Sequence, residues 1–186
     1  GRSTPRTGTE IDFNSVVDTA KQQAHKHSPT ISSGDAEFVQ EERPGLRLDG
    51  SQFIDAGDVA NFGYFESFTV AAWVKPRGDM TGGLVTRSSD DSDRVGWALH
   101  LEDGHVQVHL TNRWLDDALR VQSAASLDPE RWQHVLITYD GSRLAEGVQV
   151  FIDGERQETE VLLDMMNQTM VNKEPLRIGS TGATRP

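Results

Sequence analysis

The stretch Val95–Thr111, VGWALHLEDGHVQVHLT, constrains the fold of this chain more than any other. Asp103-Gly104 separates two alternating runs, and a two-residue type I′ turn needs φ > 0 at both central positions, which Gly supplies freely and Asp tolerates. Such a turn also sets the register. Glu102 then faces His105, Leu101 faces Val106, His100 faces Gln107, Leu99 faces Val108, Ala98 faces His109 and Trp97 faces Leu110. Side chains alternate along a strand, so these pairs sort onto two faces. Trp97, Leu99, Leu101, Val106, Val108 and Leu110 make a dry face, and Ala98, His100, Glu102, His105, Gln107 and His109 a wet one. One buried and one solvated face is the pattern of antiparallel sheet.

Similar alternation recurs along the chain. EIDF (10–13), AEFVQ (36–40), GLRLDG (45–50), QFIDAG (52–57), SFTVAAWVK (67–75), GGLVTR (82–87), ALRVQ (118–122), RWQHVLITY (131–139), GVQVFIDGE (147–155) and PLRIGS (175–180) all read as strands. Roughly ten to twelve short strands punctuated by turn signals predict an all-β sandwich. Two segments read as helix: one after a cap at Asn14 or Ser15 through VVDTAKQQA, and LLDMMNQTM at 162–170. The 186 residues suffice for one domain that buries about 70% of its unfolded surface. Residues 1–9 and 183–186 read as flexible tails around a domain at 10–182.

Charge and composition exclude several functions. The net charge of −11, without clustered Lys or Arg, argues against a nucleic-acid surface. The absence of Cys excludes disulfides and thiolate chemistry. No apolar run approaches the ~18 residues that a spanning helix needs, so membrane insertion is not expected. The polar start carries no signal-peptide pattern and reads as a boundary within a longer protein.

The order GLRLDGSQFIDAG, SFTVAAWVKP, RWQHVLITYDG, GVQVFIDGE, PLRIGS resembles the bacterial laminin-G-like domains of the concanavalin A-like lectin/glucanase superfamily. Phe68, Thr69, Ala72, Trp73 and Val74 match one family strand; Trp132, His134 and Val135, with Tyr139, Asp140 and Gly141, match another; Phe151, Ile152, Asp153 and Gly154 match a hairpin. LTNRWLDDALRV looks most like modules in large exported bacterial proteins that also carry cytochrome c-type segments. The resemblance implies a two-sheet antiparallel jelly roll and a non-catalytic role binding glycans or proteins, with calcium in some members. It also implies a secreted, periplasmic or cell-surface location and contacts with other domains of the parent protein. Family members usually continue past the IGS strand, and this sequence shows no such final strand. A sheet edge open to an edge-strand dimer is the expectation that follows.

The candidate chemistry is that of binding. His100, Glu102, His105, Gln107 and His109 supply the mixed donors and acceptors that sugar hydroxyls need, although an ordinary solvated face would look the same. Trp114 offers a stacking surface and Arg113 a hydrogen-bonding partner for an acidic or hydroxylated ligand. Trp97 reads as core, and Trp73 and Trp132 as packing. No cofactor is required; calcium is a candidate ion for Asp90, Asp91 and Asp93, with Asp55 and Asp58 a fainter set. EIDF resembles the start of a glycosidase E-x-D-x-x-E strand, but no second Glu follows, so the carboxylate pair of hydrolysis is missing. A carbohydrate-binding module is the leading expectation. A structural spacer or protein-docking module comes next, and a glycoside hydrolase-like enzyme last.

Overall fold

The computed structural model describes residues 9–12, 30–31, 37–40, 43–48, 52–78 and 80–180. The expected first helix and most of both tails lie outside the described residues, while Thr9 already belongs to a strand. The strands are β1 (Thr9–Asp12), β2 (Thr30–Ile31), β3 (Glu37–Gln40), β4 (Pro44–Leu48), β5 (Ile54–Gly57), β6 (Phe68–Lys75), β7 (Gly82–Ser88) and β8 (Gly96–Glu102). They continue as β9 (His105–Arg113), β10 (Asp117–Ser126), β11 (Gln133–Tyr139), β12 (Val148–Ile152), β13 (Glu155–Arg156), β14 (Thr159–Asp164) and β15 (Leu176–Ile178). Two sheets result, one ordered β13-β12-β11-β6-β1-β4-β3 and the other β14-β10-β9-β8-β7-β15-β5-β2.

Alternation decides which residues meet between the sheets. Phe68, Val70, Ala72 and Val74 of β6 are buried, as are Val135, Ile137 and Tyr139 of β11. Facing them are Trp97, Leu99 and Leu101 of β8 and Val106, Val108 and Leu110 of β9, all within one core. Trp73 takes the outer face of its sheet, where Arg43 lies 3.7 Å from its ring centroid and His134 packs at 5.1 Å. Residues 10–12 of the EIDF segment belong to a central strand: Ile11 pairs with Leu46 on one side and Val74 on the other. At the far edge of the second sheet, β14 leaves Val161 and Leu162 exposed.

The helix expected at 162–170 is absent. Its first residues extend β14, where Val161 pairs with Val121, and the rest is irregular. Met166 and Met170 are both buried, which accounts for the helix-like spacing. The backbone between them is satisfied by a side chain instead: Asp117 Oδ1 accepts from the amides of Asn167 (2.6 Å) and Gln168 (3.2 Å). A buried carboxylate thus replaces the hydrogen bonds that would have favoured a helix.

Candidate functional site

The hairpin forms as its sequence dictates. Asp103 has φ 48° and Gly104 φ 82°, and all six cross-strand pairs from Trp97–Leu110 to Glu102–His105 are present. The dry face is fully buried. The other face departs from expectation, because Ala98 and His109 are only 9% and 8% exposed. Neighbouring elements cover them.

Three side chains form that cover. Past β9 the chain turns through Trp114, whose ring meets the His109 ring edge-on at 5.1 Å. Arg120, opposite His109 on β10, places its guanidinium 4.1 Å from the Trp114 centroid, and Arg94 places its own at 4.4 Å. Arg120 sits where the β10–β14 register shifts, and such a bulge re-aims the adjoining side chain. Arg94 is presented by a closed loop: the Ser89 amide donates to Val95 O, and the Val95 amide to Ser89 Oγ. Asp91 Oδ1 fastens the loop, accepting from Ser89 Oγ (2.9 Å) and from the amides of Asp93 and Arg94 (both 3.0 Å).

Against Trp114 and Arg94 lies a cavity of about 350 Å³ on the outer face of the β7–β8–β9 sheet. Small residues leave the room: Thr86 and Ser88 on β7, Gly96 and Ala98 on β8, Thr111 on β9. Gly96 adopts φ +138°, and any Cβ there would strike Arg87 O and the Asn172 amide, so nothing larger fits. The cavity is walled by Arg94, Trp114, His109, His100 and Glu102. Thr111 is 1% exposed, and its Oγ1, buried beside the cavity, has no hydrogen-bond partner among the described residues.

The two wall histidines are held neutral. Gln107 Nε2 donates to Gln122 Oε1 at 2.6 Å, which turns Gln107 Oε1 toward His109 Nε2 at 2.8 Å. His109 therefore carries its proton on Nε2 and keeps Nδ1 as an acceptor. Burial pushes its pKa down to about 3, with the His100 ring and the Arg120 and Arg94 charges adding to the effect. His100 packs 5.8 Å from His109. Burial lowers its pKa as well, while a 3.2 Å contact to Glu102 acts in the opposite direction.

Of the residues expected at a site, His100, Glu102, His109 and Trp114 line the cavity. Gln107 stands behind His109 as its support. His105 stands opposite Glu102 in the register, but its side chain turns to the neighbouring strand, where Nδ1 donates to Ser123 O at 3.0 Å, while Glu102 contacts His100. Arg113 is bonded to Asp116 at 2.8 Å on the exposed turn. Asp90, Asp91 and Asp93 do not converge, and among the described residues no three His, Asp or Glu side chains group as a metal site. Asp55 Oδ1 accepts the Gly57 amide and Asp58 pairs with Arg87, so the fainter acidic set serves the fold. Arg94, Arg120 and Thr111 were not anticipated. Alternation along ALRVQ with the hairpin register could have pointed to Arg120; nothing local marks Arg94.

A two-sheet antiparallel jelly roll with a cavity on one outer face defines a concanavalin A-like sandwich domain. The chain belongs to the concanavalin A-like lectin/glucanases superfamily, whose laminin G sequence profile matches residues 48–186. Similar solved structures include the botulinum neurotoxin serotype G binding domain, with a TM-score of 0.53 at 16% identity over 87% of this chain and 42% of that one. Another is the binding domain of botulinum neurotoxin DC in complex with rat synaptotagmin II, with a TM-score of 0.51 at 12% identity, covering 84% and 39%. A third, from work on botulinum neurotoxin type C, whose cell entry depends on interaction with two ganglioside molecules, has a TM-score of 0.50 at 14% identity, covering 87% and 40%. The chain thus spans about two fifths of these structures, and the likeness is one of fold. No curated protein matches the sequence.

Proposed function

We propose that this domain is a non-catalytic binding module that takes a carbohydrate in the cavity beside the hairpin. One observation carries the reading: a cavity of about 350 Å³ walled by a Trp, two neutral His and a Glu, with the unpartnered Thr111 Oγ1 buried beside it. Ligand sites are concave and place a few convergent polar groups, and sugar hydroxyls need both donors and acceptors. Glu102 is the one carboxylate lining the cavity among the described residues, whereas glycoside hydrolysis needs two across the scissile bond. The neurotoxin neighbours, whose partners are a protein in one case and gangliosides in another, support the view that this fold can carry ligands. Among the described residues no helix is long and apolar enough to cross a membrane. The reading suits a secreted, periplasmic or cell-surface parent protein, where polymeric glycans are met.

The test is a glycan-array screen followed by titration calorimetry with the best binder. Ala98→Leu, which places a larger side chain on the cavity floor, should abolish binding while leaving the melting temperature within a few degrees of wild type. No binder on the array, or unchanged affinity in Ala98→Leu, would sink the proposal and favour a spacer or docking role.

A further inference from the structure

We infer that the sugar taken by this cavity is an acidic one, bearing a carboxylate or sulfate that Arg94 on the cavity wall receives, with Arg120, stacked on the same Trp114 ring, adding positive charge nearby. The inference rests on the carbohydrate reading above and narrows it. It starts from an imbalance of charge. The chain holds 29 acidic and 18 basic residues, so a carboxylate partner for an arginine is easily supplied. Arg87, Arg113, Arg131 and Arg177 each have one. Among the described residues Arg94 and Arg120 have none, although both guanidiniums lie against the same Trp114 ring, 4.4 and 4.1 Å from its centroid.

Gathering two like charges on one partly buried ring is unfavourable unless something compensates. Stacking on the indole face offsets some of this, because the ring quadrupole attracts cations. It supplies no opposite charge, and among the described residues no carboxylate pairs with either guanidinium. An oxyanion presents several lone pairs to a guanidinium fork, and it supplies the missing opposite charge.

The rest of the cavity fits a sugar ring better than a bare inorganic anion. Beyond the arginines, His109 Nδ1 offers an acceptor, and Thr111 Oγ1 can both donate and accept. Glu102 accepts from hydroxyls and repels a second anion. The site is cationic at one side and hydroxyl-seeking at the other, so it orients a ring with one charged substituent. Trp114 then acts mainly as the support that holds the arginines, because guanidiniums already lie over its ring.

The experiment compares three probes by titration calorimetry on the intact chain: a uronic acid oligosaccharide, a sulfated oligosaccharide and a neutral one of matched length. An acidic probe should bind about tenfold or more tighter than the neutral one, as expected when a charge-assisted contact is added. Its affinity should fall as salt rises toward about 0.5 M, where exposed charges are screened. Arg94→Gln should weaken the acidic probe about tenfold more than the neutral one, and Arg120→Gln should shift the ratio of the two affinities in the same direction. If Arg120→Gln lowers the melting temperature sharply, Arg94→Gln and the salt series carry the test. Whether carboxylate or sulfate binds tighter distinguishes the two sources of negative charge. Equal affinity for acidic and neutral probes, or acidic binding indifferent to salt and to Arg94→Gln, would overturn the inference while leaving the carbohydrate reading standing. Failure of all three probes, with no binder on the array, would overturn both.

Discussion

His109→Gln should remove a pH dependence of stability that the wild-type protein carries. In the folded chain His109 stays neutral until about pH 3. In the unfolded chain an ordinary His titrates near 6.5. Between those values the unfolded state binds one more proton, so the contribution is full above about pH 6.5 and is lost as pH falls toward 3. From pH 7.5 to 5.0 the loss spans about 1.5 pH units at 1.36 kcal/mol each, or about 2 kcal/mol. Gln can still donate to Gln107 Oε1 but does not titrate. Urea denaturation of both proteins at the two pH values measures the difference. His100 and the carboxylates titrate in both backgrounds and largely cancel in the comparison. Wild type should lose about 2 kcal/mol more than His109→Gln on acidification. An equal loss in the two proteins would mean that His109 titrates near its ordinary value in the fold. The cover of Trp114, Arg94 and Arg120 would then not keep water from it.

Four further outcomes follow from the same contacts. Gly96→Ala should cost at least about 3 kcal/mol, because a Cβ would meet the Arg87 carbonyl and the Asn172 amide at a backbone angle that suits only Gly; a melting temperature near wild type would refute this. Asn172→Ala removes donors to Arg87 O (3.1 Å) and Val95 O (3.0 Å) and the acceptor of the Glu174 amide (2.8 Å), for a loss of about 2–3 kcal/mol by chemical denaturation. A cost near zero would mean that these bonds are not maintained in solution. Asp91→Ala should cost about 1 kcal/mol and speed hydrogen exchange in the 89–95 loop. Calcium should leave the wild-type melting temperature unchanged, since Asp91 Oδ1 already accepts three hydrogen bonds; a rise of several degrees would restore Asp90, Asp91 and Asp93 as ligands.

The hairpin shows how much of this protein is legible from residue order. A two-residue turn at Asp103-Gly104 leaves one register available, and alternation then assigns every side chain to a face. Most of the strands, the dry faces of β6, β8, β9 and β11 and the sandwich class follow from that local rule, whereas β2 and β14 are not expected from it. It fails at 162–170, where two buried methionines four residues apart imitate a helix and a distant carboxylate, Asp117, satisfies the backbone instead. It fails again on the polar face of the hairpin. Alternation tells which way His100, Gln107 and His109 point, but exposure depends on what the rest of the chain lays over them. The seventh strand's small residues, the loop fastened by Asp91, and Trp114 with Arg120 decide that together, and they come from separate stretches of sequence. Facing is a property of one strand, so the sequence determined it; burial, protonation and the cavity are properties of several elements meeting, so only the tertiary structure decided them.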